Sequence, residues 1–320
     1  MKSAIILYAI ASGTIALLPV SVRAAEPKKC IHVASYEKDY SWTADIDSSL
    51  RTELTNVCNV ETIYMEAKKN PTEEYGAKKA LEIKSVIEAT KPNLVIVSDD
   101  PAVKHLLAEH FKDAALPFVF VGVNWSIEPY KLPYKNATGV IEVAPIEAMI
   151  YELRKSQSHV KTIAMIGPDN NATQAKEFPE VQKRFESAGF KVLMYAANTF
   201  VDWKKSFVDA NEQADFVYVG NFKGTKGWVD AEAKDWALKH TKKLSAGTNE
   251  WLIDVAAIVM AKRPDEQGKL GGERAKLILE GRSPASVYPT TNKLYTSLIN
   301  KELLAKTGAK LSDGLMRSAK

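Results

Sequence analysis

Carboxylates, amides and aromatic rings gather at a few turns of this 320-residue chain, and the chemistry they suit is recognition. Asp99-Asp100 follows the unbroken apolar run Leu94-Val95-Ile96-Val97 and Ser98. Asn124-Trp125 follows Phe118-Val119-Phe120-Val121 and Gly122-Val123. A third group, Tyr36, Tyr40 and Trp42, lies just beyond Ile31-His32-Val33-Ala34. Carboxylates accept hydrogen bonds from an amine or hydroxyls, and aromatic faces stack on flat or apolar groups. Each group has a structural alternative. Asp100, directly before Pro101, suits a helix N-cap as well as a ligand contact, which leaves Asp99 as the acid expected to face a ligand. The three aromatics either form a local core beneath their loop or wall a binding site.

Signatures of catalysis are missing. The sequence has no G-x-G-x-x-G after its first strand, no G-x-x-x-x-G-K-[ST], no G-x-S-x-G and no H-E-x-x-H. Adjacent acids such as Asp99 and Asp100 do not flank one bond as a paired acid and base must. Two cysteines and five dispersed histidines offer no ligand spacing for a metal. The chain is therefore read as no enzyme, with no cofactor and no metal.

The elements that position these groups alternate. A β-branched or aromatic run bounded by turns reads as a strand buried on both faces, and the helical pattern Ala102–Phe111 crosses from one such run to the next. That is a βαβ unit of a parallel sheet, and ligands of such sheets bind beyond the carboxyl ends of the strands. The alternation begins with strands at 31–34 and 60–64 and helices at 43–55 and 72–89. It pauses in the Pro- and Tyr-containing loop 126–138 and restarts after the short extended segment 139–143. Helices are predicted at 146–157, 176–188, 200–210 and 228–238. Strands are predicted at 162–166, 191–195, 215–219, 244–246 and 256–260. Helix 267–280 contains Gly268, Gly271 and Gly272, which signal either close packing or fraying. A connector over 281–293, a strand at 294–299, a helix at 301–307 and a loose polar tail from Asp313 complete the chain. The fold class is α/β, with two doubly wound parallel-sheet lobes joined near Glu142.

Length agrees with two domains of about 150 residues each. Lys2, the apolar segment Ala4–Val20 and the small residues of Val22-Arg23-Ala24 predict a signal peptide over 1–24. Removing it deletes Lys2 and Arg23 and no acid, so the formal charge falls from +4 to +2. With no basic cluster interleaved with aromatics, a nucleic-acid partner is not expected, and the scattered lysines read as solvated surface. Export leaves Cys30 and Cys58 where a disulfide persists. Each starts a predicted strand. If those strands are parallel neighbours, a Cys30–Cys58 bridge lies on the rim opposite the ligand edge and stabilises by ~3 kcal/mol.

Across nearly the whole mature chain, short stretches resemble the two-lobed type I periplasmic binding proteins. More narrowly they resemble the ABC-transporter substrate-binding family that includes aromatic-amino-acid binders. They are SYEKDYSW, VIVSDDPAVKHL, PFVFVGVN, TGVIE, EQGKLGGERAKLILEGRSPASV and YTSLINKELLAKTGAKL. The resemblance implies a chain that crosses between lobes three times, near Glu142, Trp251 and Arg282. It gives an N-terminal lobe of 25–141 plus 252–281 and a C-terminal lobe of 142–251 plus 282–320. It also implies a ligand site in the cleft, made by Tyr36, Tyr40, Trp42, Asp99, Asp100, Asn124 and Trp125 in the first lobe. The second lobe would supply Asp169, Asn170, Asn221, Phe222, Asn249, Glu250 and Trp251, and the strand end before Pro264 would add Lys262 or Arg263. At Lys262-Arg263 many relatives carry small or aromatic residues; a cation here either grips a carboxylate or phosphate or is a solvated pair on the rim. The function implied is capture of a small polar ligand, an amino acid or similar, by hinge closure. The protein would work in the periplasm, as a monomer, for an ABC permease, with a histidine kinase or chemoreceptor as the alternative partner.

Overall fold

A computed structural model describes residues 28–169, 172–222 and 225–319; the expected signal peptide, 1–24, and Asn170 lie outside them. The first sheet holds β1 (Lys28–Ala34), β2 (Cys58–Tyr64), β3 (Leu94–Ser98), β4 (Phe118–Asn124), β5 (Ala137–Glu142) and β11 (Thr290–Thr291) in the order β11-β5-β4-β3-β1-β2. Every pairing in it is parallel. The second holds β6 (Thr162–Gly167), β7 (Lys191–Ala196), β8 (Phe216–Val219), β9 (Leu244–Gly247), β10 (Ile258–Lys262) and β12 (Tyr295–Ile299) in the order β12-β10-β9-β8-β6-β7. Only its edge strand β12 runs antiparallel. The central strands β3 and β4 are buried at every residue, as continuous apolar runs require when helices cover both faces.

The helices are α1 (Ser41–Glu53), α2 (Glu73–Thr90), α3 (Asp99–Ala102, continued by a π-wound Val103–Ala108), α4 (Ile146–Ser156) and α5 (Ala172–Ser187). They continue with α6 (Phe200–Gln213), α7 (Asp230–His240), α8 (Pro264–Leu279), α9 (Lys301–Thr307) and α10 (Asp313–Ser318). Proline at its first position lets α8 begin earlier than its hydrophobic period shows. Its glycines serve packing: a Cβ on Gly268 would stand 2.5 Å from the Ile46 carbonyl of α1, and one on Gly271 would stand 2.4 Å from Val121. The expected polar tail is instead helix α10, capped by Ser312 and anchored by buried Leu315.

Cys30 and Cys58 form the disulfide, Cα atoms 5.9 Å apart, between the adjacent parallel strands β1 and β2. The lobe boundaries differ from expectation. β10 pairs with β9 and β12 in the second sheet, so 252–262 does not return to the first lobe. The chain crosses after β10, at Arg263, and α8 then packs on α1, β4 and β5. β11 extends the first sheet, so the last crossing falls at 292–294 and not at Arg282. The crossings are tied together. The Asn292 side chain accepts from Val143 N at 2.7 Å and donates to Val143 O at 3.0 Å. The Glu266 carboxylate accepts from Lys293 N and Leu294 N.

Candidate functional site

The carboxyl ends of the two sheets face one another and enclose a cavity of about 30 Å3, room for roughly one or two water molecules. Each lining residue sits at or just beyond the end of a strand. From the first lobe come Tyr36, Tyr40 and Trp42 after β1, Lys68 after β2, Asp99 after β3, Asn124 ending β4 and Glu142 ending β5. From the second come Asn221 after β8, Asn249 and Trp251 after β9, and Lys262 ending β10. The rings of Tyr40 and Trp251 meet across the lobes with centroids 6.2 Å apart.

Asp99 is the most constrained member. Its φ of 66° places it in the left-handed region, where Asp is better tolerated than most residues. The turn drives the carboxylate back toward β4, whose bulge at Gly122 (φ 68°) receives it. A Cβ at Gly122 would lie 2.9 Å from Asp99 Oδ1, so both the conformation and the space demand glycine. Trp42 Nε1 donates to Asp99 Oδ1 at 3.0 Å. Asp99 Oδ2, equally buried, has no hydrogen-bond partner among the described residues. Burial and then the Glu142 charge hold this carboxyl well above the usual range, against smaller opposing effects of Trp42 and Lys68.

Two amide oxygens of the cavity lining share that condition: Asn124 Oδ1 and Asn249 Oδ1 are buried and unpartnered. The orientation of Asn124 follows from Asp100, whose Oδ2 takes the amide N–H at 2.7 Å and can only accept. The cations are differently placed. Lys262 is buried between Glu142 (2.5 Å) and Glu177 of α5 (3.5 Å). Burial pushes its pKa down, but the two carboxylates outweigh that and raise it. Glu177 is further held by Tyr218 OH at 2.6 Å. Lys68 rests over the faces of Tyr36 and Tyr40, 4.1 and 4.8 Å from their centroids. Burial lowers its pKa against the pull of Asp99, Glu37 and Glu142.

The other expected site residues lie elsewhere. Asp100 turns to the cleft mouth, accepting from Asn124, from Tyr130 OH at 2.8 Å and from Lys176 of α5 at 2.6 Å. Trp125, with φ 59°, swings onto the second lobe's apolar core, the Arg184 guanidinium 4.5 Å above its ring. Asp169 is exposed and pairs with Asn198. Phe222 is buried, stacked on Trp228 at 3.7 Å. Glu250 is exposed. Lys262, by contrast, does line the cavity, buried and not a solvated rim cation, while Arg263 pairs with Asp265 at the surface. Sequence reasoning passed over Lys68, read as solvated surface, and Glu142, read only as a crossing point. Lys68 follows β2 and Glu142 ends β5, so the strand-end rule was the signal that could have found them. Among the described residues no group of His, Cys, Asp and Glu is placed to hold a metal ion.

The architecture is shared with solved structures. One is an ABC domain in complex with L-Trp from Streptococcus pneumonia, at 17% identity and TM-score 0.68, covering 92% of this chain and 98% of that one. Another is a conserved domain protein from Vibrio cholerae, at 16% and 0.69, covering 92% and 99%. A third is the ligand-free, open form of a substrate binding protein with adhesive properties from Clostridium difficile, at 15% and 0.69, again covering 92% and 99%. At these identities the likeness is one of fold, that of the two-lobed type I periplasmic binding proteins. No curated protein matches the chain. The model of a family described as ABC transporter substrate binding protein matches residues 52–320, and the chain therefore belongs to that family, whose members bind substrates and are not enzymes.

Proposed function

We propose that this protein captures a small polar ligand between its lobes and delivers it to an ABC permease in the inner membrane. It would act in the periplasm as a monomer, after loss of residues 1–24. The observation that carries this reading is the cavity itself. Residues from both lobes close over it, and three of its buried acceptors are left without partners. A buried polar group without a hydrogen bond costs about 1–3 kcal/mol, and a ligand that supplies the missing donors while touching both lobes favours the closed arrangement over an open one. Family membership supports the transport role, and among the described residues no helix is long and apolar enough to cross a membrane.

The test is a thermal-shift screen over amino acids, sugars, amines and nucleosides, with small-angle scattering on each hit. At least one compound should raise the melting temperature and contract the particle. Trp251→Ala, which removes the second-lobe wall facing Tyr40, should weaken both responses. A hit that stabilises Trp251→Ala as strongly as the wild type, without contraction, would place binding outside the cleft and end the proposal.

A further inference from the structure

From the same cavity we infer that the ligand is a compact organic cation bearing several N–H donors, an ammonium or guanidinium compound without a carboxylate. This deepens the capture reading and rests on it. The two indole N–H groups and the Lys262 ammonium are engaged within the cavity, whereas three buried acceptors are left open. The indole N–H of Trp42 is taken by Asp99 Oδ1 and that of Trp251 by Asn221 Oδ1. The Lys262 ammonium is taken by Glu142 and Glu177. The unpartnered atoms, Asp99 Oδ2, Asn124 Oδ1 and Asn249 Oδ1, are all acceptors on side chains more than nine-tenths buried. Sugar hydroxyls could donate to them but would bring no charge; a quaternary ammonium would bring charge and no N–H.

Charge narrows the class further. Asp99, Glu142 and Glu177 line or back the cavity, opposed by Lys68 and Lys262. Two of the three N–H donors of Lys262 are taken by Glu142 and Glu177, whose paired charges already exceed its own. Lys68 is held over two tyrosine rings and already faces Asp99, Glu142 and the buried Glu37. With Asp99 ionised the set carries one negative charge in excess, the cost that burial and Glu142 register in its raised carboxyl; a zwitterion would leave that excess, whereas a cation removes it. The Tyr40, Trp42 and Trp251 rings then supply faces suited to a cation.

The experiment measures affinity by titration calorimetry for ethanolamine, agmatine, choline, L-alanine, glycerol and propionate, on the wild type and on Asp99→Asn. Asn249→Ala serves as a second variant should the first fail to fold. At least one of the two N–H cations should bind more tightly than every other probe. Choline should bind at least about tenfold more weakly, and each variant should weaken the cation about tenfold or more. Stronger binding of alanine, glycerol or propionate overturns the charge assignment and leaves the capture reading standing. Absence of binding by both N–H cations at millimolar concentration overturns it equally. An affinity for the cations that both variants keep intact overturns the site itself. The capture reading fails separately, if no compound of the wider screen contracts the particle.

Discussion

Ser98 and Asp99 are neighbours in sequence and belong to opposite kinds of polar environment. Ser98 Oγ meets His32 Nε2 at 3.1 Å, and His32 Nδ1–H donates to Asp47 Oδ1 at 2.8 Å. Arg51 and Thr62 supply further hydrogen bonds to Asp47. The distances are those of a hydrolytic triad, yet Ser98 and His32 are fully buried and neither lines the cavity. This network is complete: burial pushes the Asp47 carboxyl up, but the hydrogen bonds from His32, Thr62 and Arg51 together with the His32 charge carry it below its usual range. One residue beyond Ser98, the backbone turns left-handed and Asp99 is left half-satisfied. Completed polar groups stabilise the fold, whereas incomplete ones store free energy that a partner can release.

The largest test of that contrast lies at Lys262, a completed charge that nevertheless lines the cavity. Lys262→Met leaves Glu142 and Glu177 buried without their cation, and it should cost about 3–5 kcal/mol in urea unfolding. Adding Glu177→Gln should recover part of the loss, because fewer acids then lack a counter-charge. A cost below about 1 kcal/mol for the single variant would mean that these charges are not the buried unit described.

A sharper contrast pairs Asp47→Asn with Asp99→Asn. The first weakens charge-assisted bonds and should cost about 1.5–3 kcal/mol; the second removes a carboxylate the fold does not satisfy and should change stability by less than about 1 kcal/mol. Acid distinguishes them as well. Because the folded pKa of Asp47 is lowered, its contribution is fully present above the unfolded value of about 3.9 and drains away as pH falls below it. Asp99 has the opposite sign: its folded pKa is raised, so the folded state is relatively favoured in acid and loses that advantage as pH rises through the raised value. Stability profiles between pH 3 and 7 should therefore flatten at the acid end in Asp47→Asn and not in Asp99→Asn. Matching profiles for the two variants would erase the distinction.

How much of this was legible in the sequence follows the same division. Apolar runs ending in polar residues located the strand rims with Tyr36, Tyr40, Trp42 and Asn124, and the family resemblance added Asn221, Asn249 and Trp251; all seven line the cavity. The Cys30–Cys58 bridge followed from strand starts in the same way. What stayed hidden depends on single backbone angles and on distant pairings. Pro101 already favoured Asp99 over Asp100 as the cavity acid, but the left-handed turn that sends one into the cavity and the other to the mouth is not written in the local sequence. Trp125 looks like Asn124's companion until its own positive φ turns it away. The lobe assignment of β10 rests on hydrogen bonds to β9 and β12, which no local pattern of 258–262 contains.

The smallest expected effect sits at the cleft mouth, where a polar cluster is complete only while the lobes meet. Lys176 of the second lobe reaches Asp100 at 2.6 Å and Tyr130 OH at 2.7 Å, with its ammonium 4.2 Å from the Tyr130 ring centroid. Both Lys176 and Asp100 are only partly buried, so water screens the pair and its worth should be about 0.5–1 kcal/mol. Opening the cleft separates these groups without unfolding either lobe. Lys176→Met should therefore leave each lobe's unfolding nearly unchanged while lowering the closed population by roughly two- to fivefold. Scattering would read that as an expanded particle, and ligand affinity would fall by the same factor. Raising the salt from 0.05 to 0.5 M should loosen the wild type toward the variant and barely move the variant itself. Tyr130→Phe, which keeps the ion pair and loses both hydrogen bonds of the hydroxyl, should fall between them. If instead Lys176→Met lowered global stability as much as Asp47→Asn does, the cluster would belong with the completed core networks and the mouth would not open where these contacts lie.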